Sequence, residues 1–403
     1  MKTIDQLCQE SWLPPLKIKW KTTLPIIQWG MGVGVSNWNL AGAVAREWWI
    51  GTLSSIWLSW IAPYKRSILN GLIKREKAVK KLTWADTEKL FHDASLMAAL
   101  MEIKKAREIS NWNGALWLNT MVAITDYKRH VELACQTGLN GIVSWAGLPR
   151  DLPNISKDYP NAALIPILSN LRWTKILLKM WERLKQIPDA IVLEDPTRAG
   201  GHLGASNLWS FAEDDIKNST LEVAVPEVRE FLEKEWLGKT IPVIAAWGIV
   251  THEDVKRVLW YGAWWVQLWT RFLASNESGA NTESKQAVLD AKWEDDLTRY
   301  MSNAGLPALA LSASGVLPRI RNTEVKVRTC MQNCLRQCAY RDGVATAANG
   351  DPLAQMCILE ELAHTVDEAG WSKWLVFVGV SALRIHTLLS VRQIMQELLW
   401  LSV

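Results

Sequence analysis

The residues best suited to do chemistry sit in short, glycine-flanked stretches. In LEDPTRAGGHLG (193–204), Gly200 and Gly201 let the chain bend freely and present His202. An imidazole titrates near neutrality, so His202 is a candidate general base. The plainer alternative is a loop histidine making a local hydrogen bond; the paired glycines and the position after an apolar run favour function. Two further stretches, Ala246-Trp247-Gly248-Ile249 and Leu268-Trp269-Thr270-Arg271, each end an apolar run. Such loops bind phosphate through bare backbone N–H groups. Gly248 and Thr270 suit that role, whereas Trp247 and Trp269 put an indole where main chain must approach a ligand. In PIIQWGMGVGVSN (25–37) small residues would let a flat aromatic cofactor lie against the backbone. It is not the dinucleotide fingerprint, because no GxGxxG opens a helix at the right spacing. Finally, Cys330, Cys334 and Cys338 in TCMQNCLRQC are spaced i, i+4, i+8, which would line one face of a helix. Without CxxC spacing and a fourth ligand, they read as a packing stripe rather than a metal site.

These stretches need a frame, and the sequence supplies a regular one. Apolar runs recur as PIIQWG (25–30), WIGTLSS (49–55), ALWLNTMV (115–122), GIVSWAG (141–147), ALIPILSN (163–170), AIVLED (190–195), PVIAAW (242–247) and WWVQLW (264–269). Each is continuous rather than alternating, as expected of a parallel strand buried on both faces. Helices are predicted over 40–47 after a cap at Asn37, over 86–109, over 126–136 after Thr125, and over 255–259 in a turn begun by Thr251 in a capping-box-like start. Eight such units in about 250 residues predict an α/β fold, a (β/α)8 TIM barrel, with a doubly wound open sheet as the alternative. In a barrel the site lies at the C-terminal ends of the strands, with phosphate held by the loops after strands seven and eight. The repeat stops near Ala274. The division expected is a barrel over 1–275 and a mostly helical cap and C-terminal extension over 276–403 that returns to the barrel.

Composition narrows the class. The chain has 403 residues, 49% hydrophobic and 21% charged, with 45 basic and 41 acidic residues and a net charge of +4. That balance gives no electrostatic case for nucleic acid or an anionic membrane. The first residues hold no apolar run long enough for a signal peptide. The most apolar later stretch, 374–389, is short and carries Arg384 and His386, which disfavours a membrane span. Six cysteines in so long a chain do not make a disulfide scaffold, so a cytoplasmic setting is expected. One count is abnormal: 25 tryptophans against 23 glycines.

The run PIIQ-x-GMGVGVSN, the AGGH-x-G after the sixth strand, the A-x-GI of the seventh and the VQL-x-TRF of the eighth together resemble the nitronate monooxygenase family, formerly 2-nitropropane dioxygenase. Flavin-dependent enoyl-acyl-carrier-protein reductases share that framework. The resemblance covers the barrel and extends through NAGLPALAL (303–311) and SALRI-x-x-LLSV. It implies an FMN-bound barrel oxidising alkyl nitronates with O2 to a carbonyl compound and nitrite. Gln28, Gly30 and Met31 would lie against the flavin ring, and Asn119 would contact it. Gly200 and Gly201 would help bind the cofactor, and His202 matches the catalytic histidine. Gly248, Gln267 and Thr270 would surround the ribityl phosphate, in the loops that also carry Trp247 and Trp269. No metal is implied, and a homodimer is a possible assembly. The alternatives are an enoyl-thioester reductase using NAD(P)H, and a flavin-binding barrel without turnover.

The chain departs from that pattern in one direction. Trp29, Trp48, Trp49, Trp117, Trp145, Trp247, Trp265 and Trp269 stand where the family has glycine. Each exchange adds a large rigid ring and removes easy access to positive φ. Overpacking costs roughly 1–3 kcal/mol per site, so several inside one barrel would exceed a typical stability of roughly 5–15 kcal/mol. Selection does not produce that pattern. Glycine codons (UGA) translated as tryptophan do. The rival, tryptophans that bind ligands by their aromatic faces, requires them on exposed surfaces.

Overall fold

The computed structural model describes residues 3–11, 13–202, 217–315, 317, 330, 332–347, 350–367 and 374–400. All eight apolar runs form strands: β1 (Ile26–Gln28), β2 (Ile50–Ser54), β3 (Ala115–Met121), β4 (Gly141–Trp145), β5 (Ala163–Leu168), β6 (Ile191–Glu194), β7 (Val243–Ala246) and β8 (Trp265–Leu268). They pair in parallel, each with the next, and β8 closes on β1 through Val266↔Ile26 and Leu268↔Gln28. The sheet is the closed barrel expected, not the open alternative. Every residue of the eight strands is buried, because side chains facing inward fill the barrel and those facing outward meet helices.

Local chemistry sets the helices that follow the strands. Helix α1 (Trp38–Arg46) starts at Asn37, whose side chain accepts from the N–H groups of Asn39 and Leu40. Helix α2 (Trp84–Ser110) opens with a Thr83–Asp86 capping box. Helix α3 (Tyr127–Gln136) begins one residue later than expected, after Asp126, whose side chain makes no capping hydrogen bond. Helix α4 (His252–Trp260) has the Thr251–Asp254 capping box.

The extension carries helices such as Ile358–Ala363 and α5 (Val391–Leu399). It carries in addition an antiparallel hairpin, β9 (Leu297–Met301) with β10 (Pro307–Leu311), the second strand drawn from NAGLPALAL. The two-residue strand Gly201–His202 pairs with β10 through Leu309 and Ala308. The chain then returns to the barrel: Nδ1 of His252 lies 2.8 Å from the Leu398 carbonyl oxygen, and Arg384 pairs with Asp254 at 2.9 Å.

The helix expected over Cys330, Cys334 and Cys338 does not form. Residues 332–338 are bends and irregular chain, and a helix starts only at Ala339. Thiol spacing at i, i+4 is compatible with a helix but does not specify one, and this segment is held from outside. Thr125 N–H donates to the Cys334 carbonyl at 3.2 Å and Arg336 N–H to the Ala123 carbonyl at 2.9 Å.

Backbone conformation singles out tryptophan. Of the twelve non-glycine residues with positive φ among the described residues, six are Trp48, Trp57, Trp112, Trp236, Trp247 and Trp400, with φ from +53° to +83°. Trp48, Trp236 and Trp400 sit at the ends of helices, where a left-handed residue closes the last turn and glycine is the usual choice. β-Carbon crowding makes this region costly for any large L-residue.

Candidate active site at the barrel mouth

The loop after β1 is organised by Ser36. Its hydroxyl accepts from Met31 N–H at 2.8 Å and from the Gln28 amide at 2.8 Å, and donates to the Trp29 carbonyl at 2.8 Å. The Gln28 oxygen accepts from Thr52 N–H at 2.9 Å, so this fully buried amide is engaged by the protein. Gly30 lies against β3: a β-carbon there would come within 2.3 Å of Asn119 Cβ. The Asn119 amide donates to the Gly30 carbonyl, while its own oxygen is buried and finds no partner among the described residues. Both amide atoms of Gln267, on β8, are buried without a partner among them. A buried amide left unmatched costs about 1–3 kcal/mol, so these two groups are the ones a polar ligand would satisfy.

At β6 and β7 the mouth is built from glycine and charge. Gly200 sits against main chain, where a β-carbon would meet the Val378 carbonyl at 2.4 Å. Gly248 has φ +73°. Arg198 and Arg384 flank it: a Gly248 β-carbon would meet Arg198 Cδ at 2.7 Å, and Arg384 reaches the Gly248 carbonyl at 3.5 Å. The Thr270 hydroxyl accepts from Gly379 N–H at 3.1 Å, and Val380 N–H donates to the Arg198 carbonyl at 3.0 Å. The extension thus crosses the loops after β7 and β8. Arg198, Ser36 and Gly379 did not stand out in the sequence; Arg384 did so only as a charge against a membrane span and as part of the SALRI motif that marked the extension as belonging with the barrel.

Glu194, the last residue of β6, is buried, and its carboxyl is pushed up to about 8 by loss of solvation, against which the Trp247 indole N–H, donating at 3.1 Å, pulls it down. Gly201 and His202 are placed as backbone in the short strand beside β10. The His202 side chain lies outside the described residues.

Tryptophan fills the centre of the mouth. Trp29, Trp145, Trp247 and Trp269, from the C-terminal ends of β1, β4, β7 and β8, pack on one another. Ring centroids lie 5.5 Å apart for Trp29–Trp269, 5.6 Å for Trp29–Trp247, 4.6 Å for Trp247–Trp269 and 6.0 Å for Trp29–Trp145. All four are buried. The indole N–H groups of Trp29 and Trp269 have no partner among the described residues, an uncommon state for a buried tryptophan. Beside the indoles is a recess of about 580 Å³ with mainly apolar walls, including Met31, Met121, Leu273 and Phe377. The polar groups around the mouth suit a planar polar ligand, but the indoles take the space. The chain as written does not fit a flavin there.

Of the eight tryptophans at family glycine positions, only Trp48 is not buried, contrary to a role in surface recognition. Exposed tryptophans occur elsewhere, and three of them, Trp112, Trp236 and Trp400, are left-handed.

A closed parallel barrel with the extension crossing its C-terminal loops, and with unmatched amides on β3 and β8 near that end, has its candidate site where (β/α)8 enzymes carry theirs. A family model described as nitronate monooxygenase matches residues 14–400, and the chain belongs to that family of flavin-dependent oxidoreductases. It is 29% identical over 283 residues to a probable nitronate monooxygenase of Bacillus subtilis, covering 69% of this chain and 73% of that protein. It is 34% identical over 107 residues to a probable nitronate monooxygenase of Staphylococcus haemolyticus, covering 27% of this chain and 28% of that one. Among solved structures, FabK from Thermotoga maritima superposes with a TM-score of 0.63 at 20% identity over 99% of this chain and 96% of that one. Nitroalkane oxidase from Streptomyces ansochromogenes superposes with a TM-score of 0.60 at 18% identity over 93% and 94%. Both likenesses concern the fold. Among the described residues no helix is long and apolar enough to cross a membrane.

Proposed function

We infer that this chain, with glycine at positions 29, 145, 247 and 269, binds FMN in the barrel mouth and oxidises alkyl nitronates with O2 to a carbonyl compound and nitrite. The observation that carries the reading is the pairing of a family match across 14–400 with unmatched buried amides at Gln267 and Asn119 in that mouth. The mismatch described above lies in the four indoles of the mouth. Trp247 has φ +83°, a backbone that glycine adopts without strain, and removing the four rings opens the space they fill. Gln267 and Asn119 would then meet the ligand's polar edge, and Gly248, Thr270, Arg198 and Arg384 would hold its phosphate. His202 is the proposed base that takes a proton at the substrate.

The test is activity of the chain carrying glycine at those four positions. Nitronate-dependent oxygen uptake with nitrite release is expected, and His202→Ala should reduce it strongly while flavin stays bound. NADH oxidation driven by an enoyl thioester, without nitronate turnover, would replace this reading with the reductase. A flavin-loaded protein inert in both assays would leave a binding barrel.

A further inference from the structure

The cysteines of the extension converge on one recess. Cys330, Cys334 and Cys338 are joined there by Cys357, nineteen positions beyond Cys338 in the chain, and all four line a cavity of about 450 Å³ with Asn303 and Arg341. None of the six cysteines is disulfide-bonded. Only Cys334 is fully buried; the other three are half-buried at the recess wall, unlike inert packing thiols.

Dedicated contacts hold this arrangement. The Asn303 amide donates to Cys338 Sγ at 3.3 Å and to the Met356 carbonyl at 3.2 Å, tying the two cysteine segments together. The Arg341 guanidinium donates to Asn333 Oδ1 at 2.6 Å and to the Leu335 carbonyl at 2.6 Å, fixing the loop, and its charge is paired with Asp342 at 2.6 Å. An amide N–H donor aimed at sulfur is the kind of outer contact that supports a metal-bound thiolate.

We propose that Cys330, Cys334, Cys338 and Cys357 ligate a [4Fe–4S] cluster seated in this recess. A polynuclear cluster is favoured over one zinc ion because the four cysteines line a common cavity without being gathered on one ion. Four sulfurs on a single tetrahedral zinc lie within about 4 Å of one another, given Zn–S bonds of about 2.3 Å. Among the described residues no group of three or more ligating side chains closes on a single ion. What the four thiols share is a cavity, and a cluster holds its ligand sulfurs apart by its own width. Ile358, the residue after Cys357, lines both this recess and the one beside the barrel mouth. The two sites are therefore neighbours across one side chain. The assignment is independent of the flavin reading, since iron is counted whether or not flavin binds.

The full chain, and the same chain with glycine at 29, 145, 247 and 269, are purified without oxygen, incubated with equal amounts of ferrous and ferric iron and with sulfide, which together balance the oxidised cluster, and desalted. Iron, acid-labile sulfide and zinc are then counted per chain. About four iron and four sulfide ions are expected, with visible absorption that bleaches on reduction. Cys334→Ser and Cys338→Ser should each lower iron at least tenfold, and Cys8→Ser should leave it unchanged. Circular dichroism of each variant checks the fold. A second measurement needs no variant: in the iron-loaded chain the four cysteines should resist alkylation while Cys8 reacts. A folded chain with less than one iron, zinc in place of iron and sulfide, iron retained in both serine variants, or alkylation of the four at the rate of Cys8 would each overturn the assignment.

Discussion

Trp236 isolates the backbone cost of tryptophan at a glycine position. Its side chain is 93% exposed, so its removal forfeits little packing, and its φ is +59°. A left-handed conformation costs an L-residue roughly 1–2 kcal/mol. Glycine escapes that cost but loses about 0.5–1 kcal/mol through the greater freedom of its unfolded chain. Trp236→Gly should therefore stabilise the protein by about 0.5–1 kcal/mol. Trp293 is the matched control: it is 73% exposed but extended, with φ −122°. There glycine relieves no strain, and Trp293→Gly should be neutral or destabilising by about 0.5–1 kcal/mol. Urea unfolding of the two variants and the parent reads both shifts as changes in midpoint at constant slope. A loss of stability at Trp236, or shifts of the same sign and size at both positions, would refute the reasoning that backbone conformation marks the glycine sites.

Other consequences follow from the mouth. Glu194 is protonated in the folded chain up to about pH 8 but ionises near 4.5 when unfolded. Its folded value is raised, so the stability it lends is complete below 4.5 and is lost as pH rises to 8. Glu194→Gln should flatten the melting temperature across that window, and parallel pH curves for variant and parent would contradict it. Gly200→Ala places a β-carbon 2.4 Å from the Val378 carbonyl, main chain that cannot swing aside. A loss of about 1–3 kcal/mol in urea unfolding is expected, and no loss would show that the extension does not pack there as described. Arg384→Ala removes a 2.9 Å pair with Asp254 from a side chain that is 46% exposed, a stability change of at most about 1 kcal/mol. In the chain bearing the four glycines it should weaken FMN by about tenfold while sparing riboflavin; equal effects on both would remove Arg384 from the phosphate site.

The barrel was legible because parallel strands buried on both faces must be continuously apolar, and turn residues punctuate them. Asn37 and Thr251 announced their helices through capping chemistry that acts within three residues. What escaped depended on contacts between distant segments. The conformation of the cysteine loop is set by Thr125, Ala123 and Arg341, and Cys357 joins it only in space. The raised Glu194 carboxyl follows from burial at the end of β6, which no local pattern encodes. Gln267 and Asn119 were identified by resemblance, but only the structure shows their amides unmatched. The exchange of glycine for tryptophan was visible as a pattern; its physical mark, left-handed backbone at six tryptophans, needed coordinates.

The central claim is that four indoles occupy the flavin's place. FMN titration of the chain as written and of the chain with Trp29, Trp145, Trp247 and Trp269 replaced by glycine tests it most directly, read by quenching of flavin fluorescence and by equilibrium dialysis. The expected result is about one FMN per chain with the glycines and none without. A chain that binds one FMN with all four tryptophans in place would contradict the account.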